Sequence, residues 1–245
     1  VVQTIEGSGA NCWAGSSVAI NKYANVIAIG EPGFNSNRGR IRVFKLGGFY
    51  SKLWTDITTY HSAQSTLPSQ YQNQVDIVGE SVTSMTGSSI AIAGDALTGI
   101  LVVSGEPNLD KVRIFNEGGI SSRGSNTLHY DVYQNTSGYS FWHNYGTLTG
   151  PSNSGFGSAV AIASNSHSTA NWHICMAVSA PFNNSNTGFV TIYMPPLRKL
   201  SSVPGYNDTP SPPAWDEATG DFSNSITISG TQTGEKFGSS LALGT

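Results

Sequence analysis

The stretch Gly15-Ser16-Ser17-Val18-Ala19-Ile20 decides the fold, because close copies of it recur along the chain. The copies are Gly87–Ile92, Gly157–Ile162 and Gly238–Leu243, and their first glycines are separated by 72, 70 and 81 residues. A nearly constant period of this size indicates one supersecondary unit that is used several times.

Two further apolar blocks follow the first three copies in a fixed order. They are Val26–Pro32 and Gly39–Phe44, then Leu101–Pro107 and Asp110–Phe115, then Met176–Pro181 and Gly188–Tyr193. Their Val, Ile, Phe and Tyr content is typical of β-strands. Continuous apolar residues in the second block predict a strand that is covered on both faces.

In the third block, Arg40, Arg42 and Arg113 alternate with apolar residues, which predicts a strand with one solvent-facing side. A fourth, more variable strand is expected to contain Trp54, Trp142 and Trp215. Four antiparallel strands per unit would make one blade of a propeller.

The ordered blocks resemble the FG-GAP repeat of integrin-type β-propellers. Phe156-Gly157 and Phe237-Gly238 preserve the name-giving pair, whereas Ala14-Gly15 and Thr86-Gly87 depart from it. The Gly-Ala-Pro element is matched loosely, at 30–32, 105–107 and 179–181. The resemblance implies an all-β fold of propeller-like blades and a role in adhesion, recognition or scaffolding at cell surfaces.

The expected organisation is one domain, or a segment of a larger array, with about three full repeats and part of a fourth. The approximate repeat bounds are 12–84, 85–154, 155–234 and 235–245. Three units are too few to close an ordinary propeller ring, which has 4–8 blades. Residues 4–20 and 227–243 also resemble one another, so we expect continuation into neighbouring repeats or self-association through the terminal strands.

Integrin-type blades often bind calcium in an Asp/Asn-rich loop between their first two strands, and this is the cofactor that the resemblance would imply. The corresponding loops here are 21–25, 93–98 and 164–171, and Asp95 is their one acidic residue. Calcium needs several carboxylate or carbonyl oxygens. We therefore expect no calcium site, no other metal and no cofactor.

Composition limits the partners. Only 11% of the residues are charged and the net charge is −3, with no basic stripe for a nucleic acid. No apolar stretch reaches the 18 residues expected of a membrane-spanning helix, so we expect no membrane insertion. The sequons at Asn135, Asn183 and Asn207 favour a secreted, extracellular glycoprotein.

The chain has two cysteines, Cys12 and Cys175. Cys175 lies in an apolar run typical of a buried strand, so it could be a buried thiol. A Cys12–Cys175 disulfide is the alternative.

Candidate chemistry is sparse. Glu31 and Glu106 occupy the same position in neighbouring repeats, which a duplicated turn explains without catalysis. The five histidines lack zinc-protease spacing, and no Gly-x-Ser-x-Gly elbow is present. Trp142, Trp172 and Trp215 could be ligand-stacking aromatics, although one Trp per blade is more typical of an interblade core.

The sequence thus predicts a non-enzymatic, extracellular structural or adhesive module that is a building block of a surface filament or cell-surface assembly. A lectin-like propeller that binds glycans or proteins is the alternative hypothesis. A polysaccharide-acting enzyme is a more distant one.

Overall fold

The chain is all-β in this computed structural model, which describes residues 3–46, 53–56, 77–95, 99–119, 140–167, 171–194 and 224–244. The strands in these ranges form three antiparallel sheets. The strands of each sheet fall within one of the three full repeats expected from the sequence. We number the sheets 1 to 3 in chain order.

Sheet 1 is built from β1 (Val18–Ile20), β2 (Val26–Glu31), β3 (Arg40–Leu46) and β4 (Trp54–Asp56), in that order. A fifth strand, β5 (Ile77–Val78), also pairs with β3. β4 lies beside one end of β3 and β5 beside the other, both antiparallel to it. The fourth strand of this sheet is therefore interrupted rather than continuous.

Sheets 2 and 3 repeat the same order with longer strands. Sheet 2 contains β6 (Ser89–Asp95), β7 (Gly99–Glu106), β8 (Lys111–Gly119) and β9 (Ser140–Thr149). Sheet 3 contains β10 (Val160–His167), β11 (Asn171–Ala180), β12 (Phe189–Tyr193) and β13 (Ser225–Ser229). The Gly-Ser-rich block therefore leads into the first strand of every sheet.

Short helical turns join the second and third strands. They are α1 (Phe34–Asn37) in sheet 1, a 3₁₀ turn (Pro107–Leu109) in sheet 2 and α2 (Asn183–Asn186) in sheet 3. Asn35-Ser36 and Asn184-Ser185 have left-handed backbone angles at equivalent positions. Within the described ranges, no helix has the length and apolar character needed to span a bilayer.

The sheets pack face to face, and we call the two faces of each sheet upstream and downstream, according to whether they point towards the preceding or the following repeat. One apolar core lies between sheets 1 and 2, and a second lies between sheets 2 and 3. The first includes Val26, Ala28, Ile41, Val43, Ile77, Ile90, Ile92, Ile100, Val102, Phe115 and Trp142. The second includes Ala91, Ala93, Leu101, Val103, Val112, Ile114, Phe156, Val160, Ile162, Met176, Val178 and Ala180. Sheet 2 is therefore covered on both faces, as the continuous apolar block of β7 predicts.

Glycines allow the closest approach between neighbouring sheets. A Cβ atom on Gly30 or Gly105 would lie well within 3.0 Å of the carbonyl oxygen of Gly87 or Gly157, respectively. Both glycines lie near the end of the second strand of their sheet. The glycine of the second block is thus required for contact with the following repeat.

The expected fourth strand is found for two of its three tryptophans. Trp54 lies on β4 and Trp142 on β9. Trp215 lies outside the described residues, and the fourth strand of sheet 3 is β13, further along the chain.

Candidate functional site

A buried Glu–Arg cluster connects sheet 2 to sheet 1. Glu106 ends β7 and is fully buried. Its Oε1 accepts hydrogen bonds from Thr86 Oγ1 and Arg113 Nε, each at 2.6 Å. Arg113 Nη2 also donates to the carbonyl oxygen of Val78 in sheet 1, at 2.9 Å. One side chain thus satisfies a carboxylate of its own sheet and a backbone group of the preceding sheet.

The electrostatics of this cluster are dominated by burial. Burial raises the pKa of Glu106, while the positive charge of Arg113 and the hydrogen bond from Thr86 act in the opposite direction without cancelling the rise. Glu106 Oε2 is buried and has no hydrogen-bond partner among the described residues. The carboxylate is therefore held by one oxygen, which is consistent with the raised pKa.

Sheet 1 has the equivalent cluster, closed by residues near the start of the chain. Glu31 is fully buried and accepts hydrogen bonds from Arg40 Nε at 3.0 Å and from the backbone N–H and hydroxyl of Ser8. Arg42 Nη1 donates to the carbonyl oxygen of Glu6 at 2.7 Å. Glu6 thus takes the role that Val78 has beside sheet 2.

Sheet 3 replaces the whole cluster with apolar or smaller groups. Ala180 stands in the position of Glu106, Thr191 in that of Arg113, and Phe156 in that of Thr86. Phe156 is 2% exposed and lies 6.5 Å from the ring of Phe189, centroid to centroid. The glutamate and the arginine are therefore present together in two repeats and absent together in the third.

These contacts correct one prediction from the sequence. Arg113 is 4% exposed and lies between two sheets, so the alternation of arginines on the third strand does not mark a solvent-facing side. A partner on the preceding sheet was missing from that interpretation. The joint loss of Glu and Arg in the third repeat is the sequence signal that indicates a pair.

The upstream face of sheet 1 is apolar and open. Val18 is 60% exposed and Ile20 is 55% exposed. Ile27 and Ile29 on β2, which pair with these residues, are half-buried.

The equivalent residues of sheets 2 and 3 are covered by the preceding sheet. Ile90 and Ile92 are 9% and 8% exposed, and Val160 and Ile162 are 7% and 9% exposed. The same sequence position is therefore buried twice inside the chain and open once, on sheet 1.

The downstream face of sheet 3 is covered by residues 235–244, which we call the C-terminal segment. A Cβ atom on Gly238 would touch side chains of Val190 and Ser179, and the N–H of Phe237 donates to the carbonyl oxygen of Thr187 at 3.0 Å. Leu241 and Leu243 are half-buried, and none of these ten residues belongs to a strand. The segment occupies the place of a first strand without forming one.

The aromatic residues predicted as stacking candidates are not brought together among the described residues. Trp142 is 2% exposed and belongs to the core between sheets 1 and 2, which leaves no open ring face for a sugar. Trp172 lies on β11 opposite Ser166, and nothing further is described of its side chain. Trp215 lies outside the described ranges.

Of the three sequons, Asn183 is described and begins α2, where it is half-buried. Asn135 and Asn207 lie outside the described residues. Glycosylation at these positions stays a prediction.

Both cysteines are free thiols, so the Cys12–Cys175 disulfide is not formed in this structure. Cys12 is buried near Gly7, and Cys175 is partly buried on β11 of sheet 3. Burial raises the pKa of Cys175, as for an ordinary enclosed thiol.

The loop between β1 and β2 is organised by an asparagine. Asn21 Oδ1 accepts the N–H groups of Asn25 and Val26, and its amide donates to Asn25 Oδ1 and to the carbonyl oxygen of Gly94. The side chain therefore closes the loop and links it to sheet 2. No cluster of three or more His, Cys, Asp or Glu suited to a metal ion occurs in the described part of the chain.

No protein-family model matches the sequence, and no curated protein shows significant sequence similarity to it.

Proposed function

We propose that this chain is a non-enzymatic structural module of an extracellular assembly, built from FG-GAP-like propeller blades, that associates with further units through its outer sheet faces. The carrying observation is the open upstream face of sheet 1. An apolar face that is covered wherever a preceding repeat exists is a face made to be covered.

The buried clusters support a structural role for the two glutamates. Glu31 and Glu106 are each held by arginine and hydroxyl donors at an equivalent place, and Arg113 crosses to the preceding sheet. Repeated contacts of this kind account for both carboxylates without a substrate. A hydrolase with a catalytic glutamate pair would need these groups to face a cleft.

Electron microscopy and light scattering of the purified chain test the proposal. We expect concentration-dependent, head-to-tail association into elongated particles. A chain that stays monomeric at all accessible concentrations, or that forms isolated closed rings, would contradict the assembly role.

The extracellular setting needs a separate measurement. Mass spectrometry of the native material should find glycan on at least one of the three sequons, of which Asn183 is the one placed by the structure. Unmodified asparagine at all three would remove the support that the sequons give to secretion. Binding of the monomer on a glycan array would favour the lectin-like alternative.

A further inference from the structure

We propose that the upstream face of sheet 1 packs on the downstream face of sheet 3 of a second copy, and that residues 12–20 of one copy displace the C-terminal segment of the other. This inference rests on the proposed assembly function and names the two surfaces that meet. The C-terminal segment then acts as a removable cover in the unassembled chain.

The interfaces inside the chain show what the open face requires. Ile90 and Ile92 pack in one core with Val26, Ala28 and Val43 of sheet 1. Val160 and Ile162 pack in the other core with Leu101, Val103 and Val112 of sheet 2. In both cases the first strand of one repeat meets the second and third strands of the repeat before it. Val18 and Ile20 therefore fit the same strands of another sheet.

Sheet 3 carries such a surface on its downstream face. Ala177 on β11 and Val190 on β12 stand at the positions of Val103 and Val112, and they are 3% and 6% exposed. The C-terminal segment approaches this surface through Gly238, which lies against Val190. The surface is thus apolar and already covered by a residue block of the required kind.

The C-terminal segment is a copy of the block that would replace it. Gly15, Ser16, Ser17 and Ala19 are matched by Gly238, Ser239, Ser240 and Ala242, and Val18 and Ile20 are matched by leucines. Residues 18–20 pair with β2 as a strand, whereas residues 235–244 pair with no second strand. Residues 12–20 bring a complete sheet with them, so they should hold the site more strongly.

The opposite exchange, with the C-terminal segment on sheet 1 of the second copy, fits less well. Phe237 stands at the repeat position of Ala14, and in sheet 3 the equivalent Phe156 lies in an apolar core with Ala180. In sheet 1 the position of Ala180 is held by the buried carboxylate of Glu31. A phenylalanine there would meet a charged group, so residues 3–20 should stay with their own sheet.

The decisive experiment compares three variants of the purified chain by sedimentation velocity. Val18→Asp with Ile20→Asp places two carboxylates on the open face and should abolish association. Deletion of residues 235–245 removes the cover and should lower the half-association concentration by at least about tenfold, because the binding-competent state no longer has to be uncovered. Ile226→Asp, on an exposed strand outside the proposed interface, should change nothing.

A combined variant guards against non-specific aggregation of the truncated chain. Adding Val18→Asp and Ile20→Asp to the deletion should return it to a monomer. Association that survives this combination, or that weakens on deletion of the segment, overturns the proposed interface. If the full chain still assembles with both aspartates, the assembly function stands and the interface lies elsewhere; if no variant associates, both proposals fall.

Discussion

Replacement of Glu106 by alanine tests whether the buried cluster holds sheets 1 and 2 together. The substitution leaves Arg113, which is 4% exposed, as a buried charge without its carboxylate. Removal of one partner of a buried ion pair typically costs about 3–5 kcal/mol. At roughly 2–4 °C per kcal/mol for a chain of this size, the melting temperature should fall by about 6–20 °C.

Sheet 3 supplies a matched rescue for this loss. The triple variant Thr86→Phe, Glu106→Ala and Arg113→Thr copies the apolar set at Phe156, Ala180 and Thr191. Well-packed apolar groups often replace a buried ion pair at little or no cost. The triple variant should therefore recover most of the stability that Glu106→Ala loses.

Urea unfolding followed by tryptophan fluorescence and circular dichroism measures these differences, with Trp142 reporting from the same core. Glu80→Gln is the control, because Glu80 pairs with Lys111 at the surface and should cost at most about 1 kcal/mol. A triple variant less stable than Glu106→Ala alone, or a single variant no worse than the control, would refute the assigned role of the cluster.

Three further outcomes are expected. Gly105→Ala should destabilise the chain by about 1–3 kcal/mol in urea unfolding, because its Cβ would collide with a carbonyl of sheet 3, whereas Gly9→Ala, with nothing within 4 Å, should be neutral. Trp142→Ala should cost about 3–5 kcal/mol by the same measurement, and a wild-type midpoint would remove it from the core. Because the pKa of Glu106 is raised above its ordinary 4.5, the stability from this group is complete below that pH and is lost as pH rises through the folded-state pKa. Glu106→Gln should therefore flatten the decline of urea midpoints between pH 4.5 and the folded-state pKa, and an unchanged slope would show that another group causes it.

The repeat predicted the strands well because strand formation depends on local pattern. Val18–Ile20, Ser89–Asp95 and Val160–His167 all follow the Gly-Ser block, and each opens a four-strand antiparallel order. The interrupted fourth strand of sheet 1 could not be predicted in this way. Trp54–Asp56 and Ile77–Val78 share one edge of β3 although twenty residues separate them.

The side-chain contacts between sheets were harder to predict than the strands. Arg113 on a strand reads as solvent-facing until the neighbouring sheet is known, since alternation identifies two faces and not what covers each. Val18 and Ile20 likewise carry the same pattern as Ile90 and Ile92, yet their exposure differs because it depends on the preceding sheet. Comparison between the repeats holds this information better than any single repeat does.

The glycine contacts between sheets also bear on the curvature of the whole array. At Gly105 two backbones touch without a side chain between them, whereas Trp142 separates the same sheets at the level of Ile100, about 17 Å along β7. An interface that is thin at one end and thick at the other is a wedge. Successive wedges of the same sense must bend the array around an axis on the glycine side, so added units should trace an arc rather than a straight column.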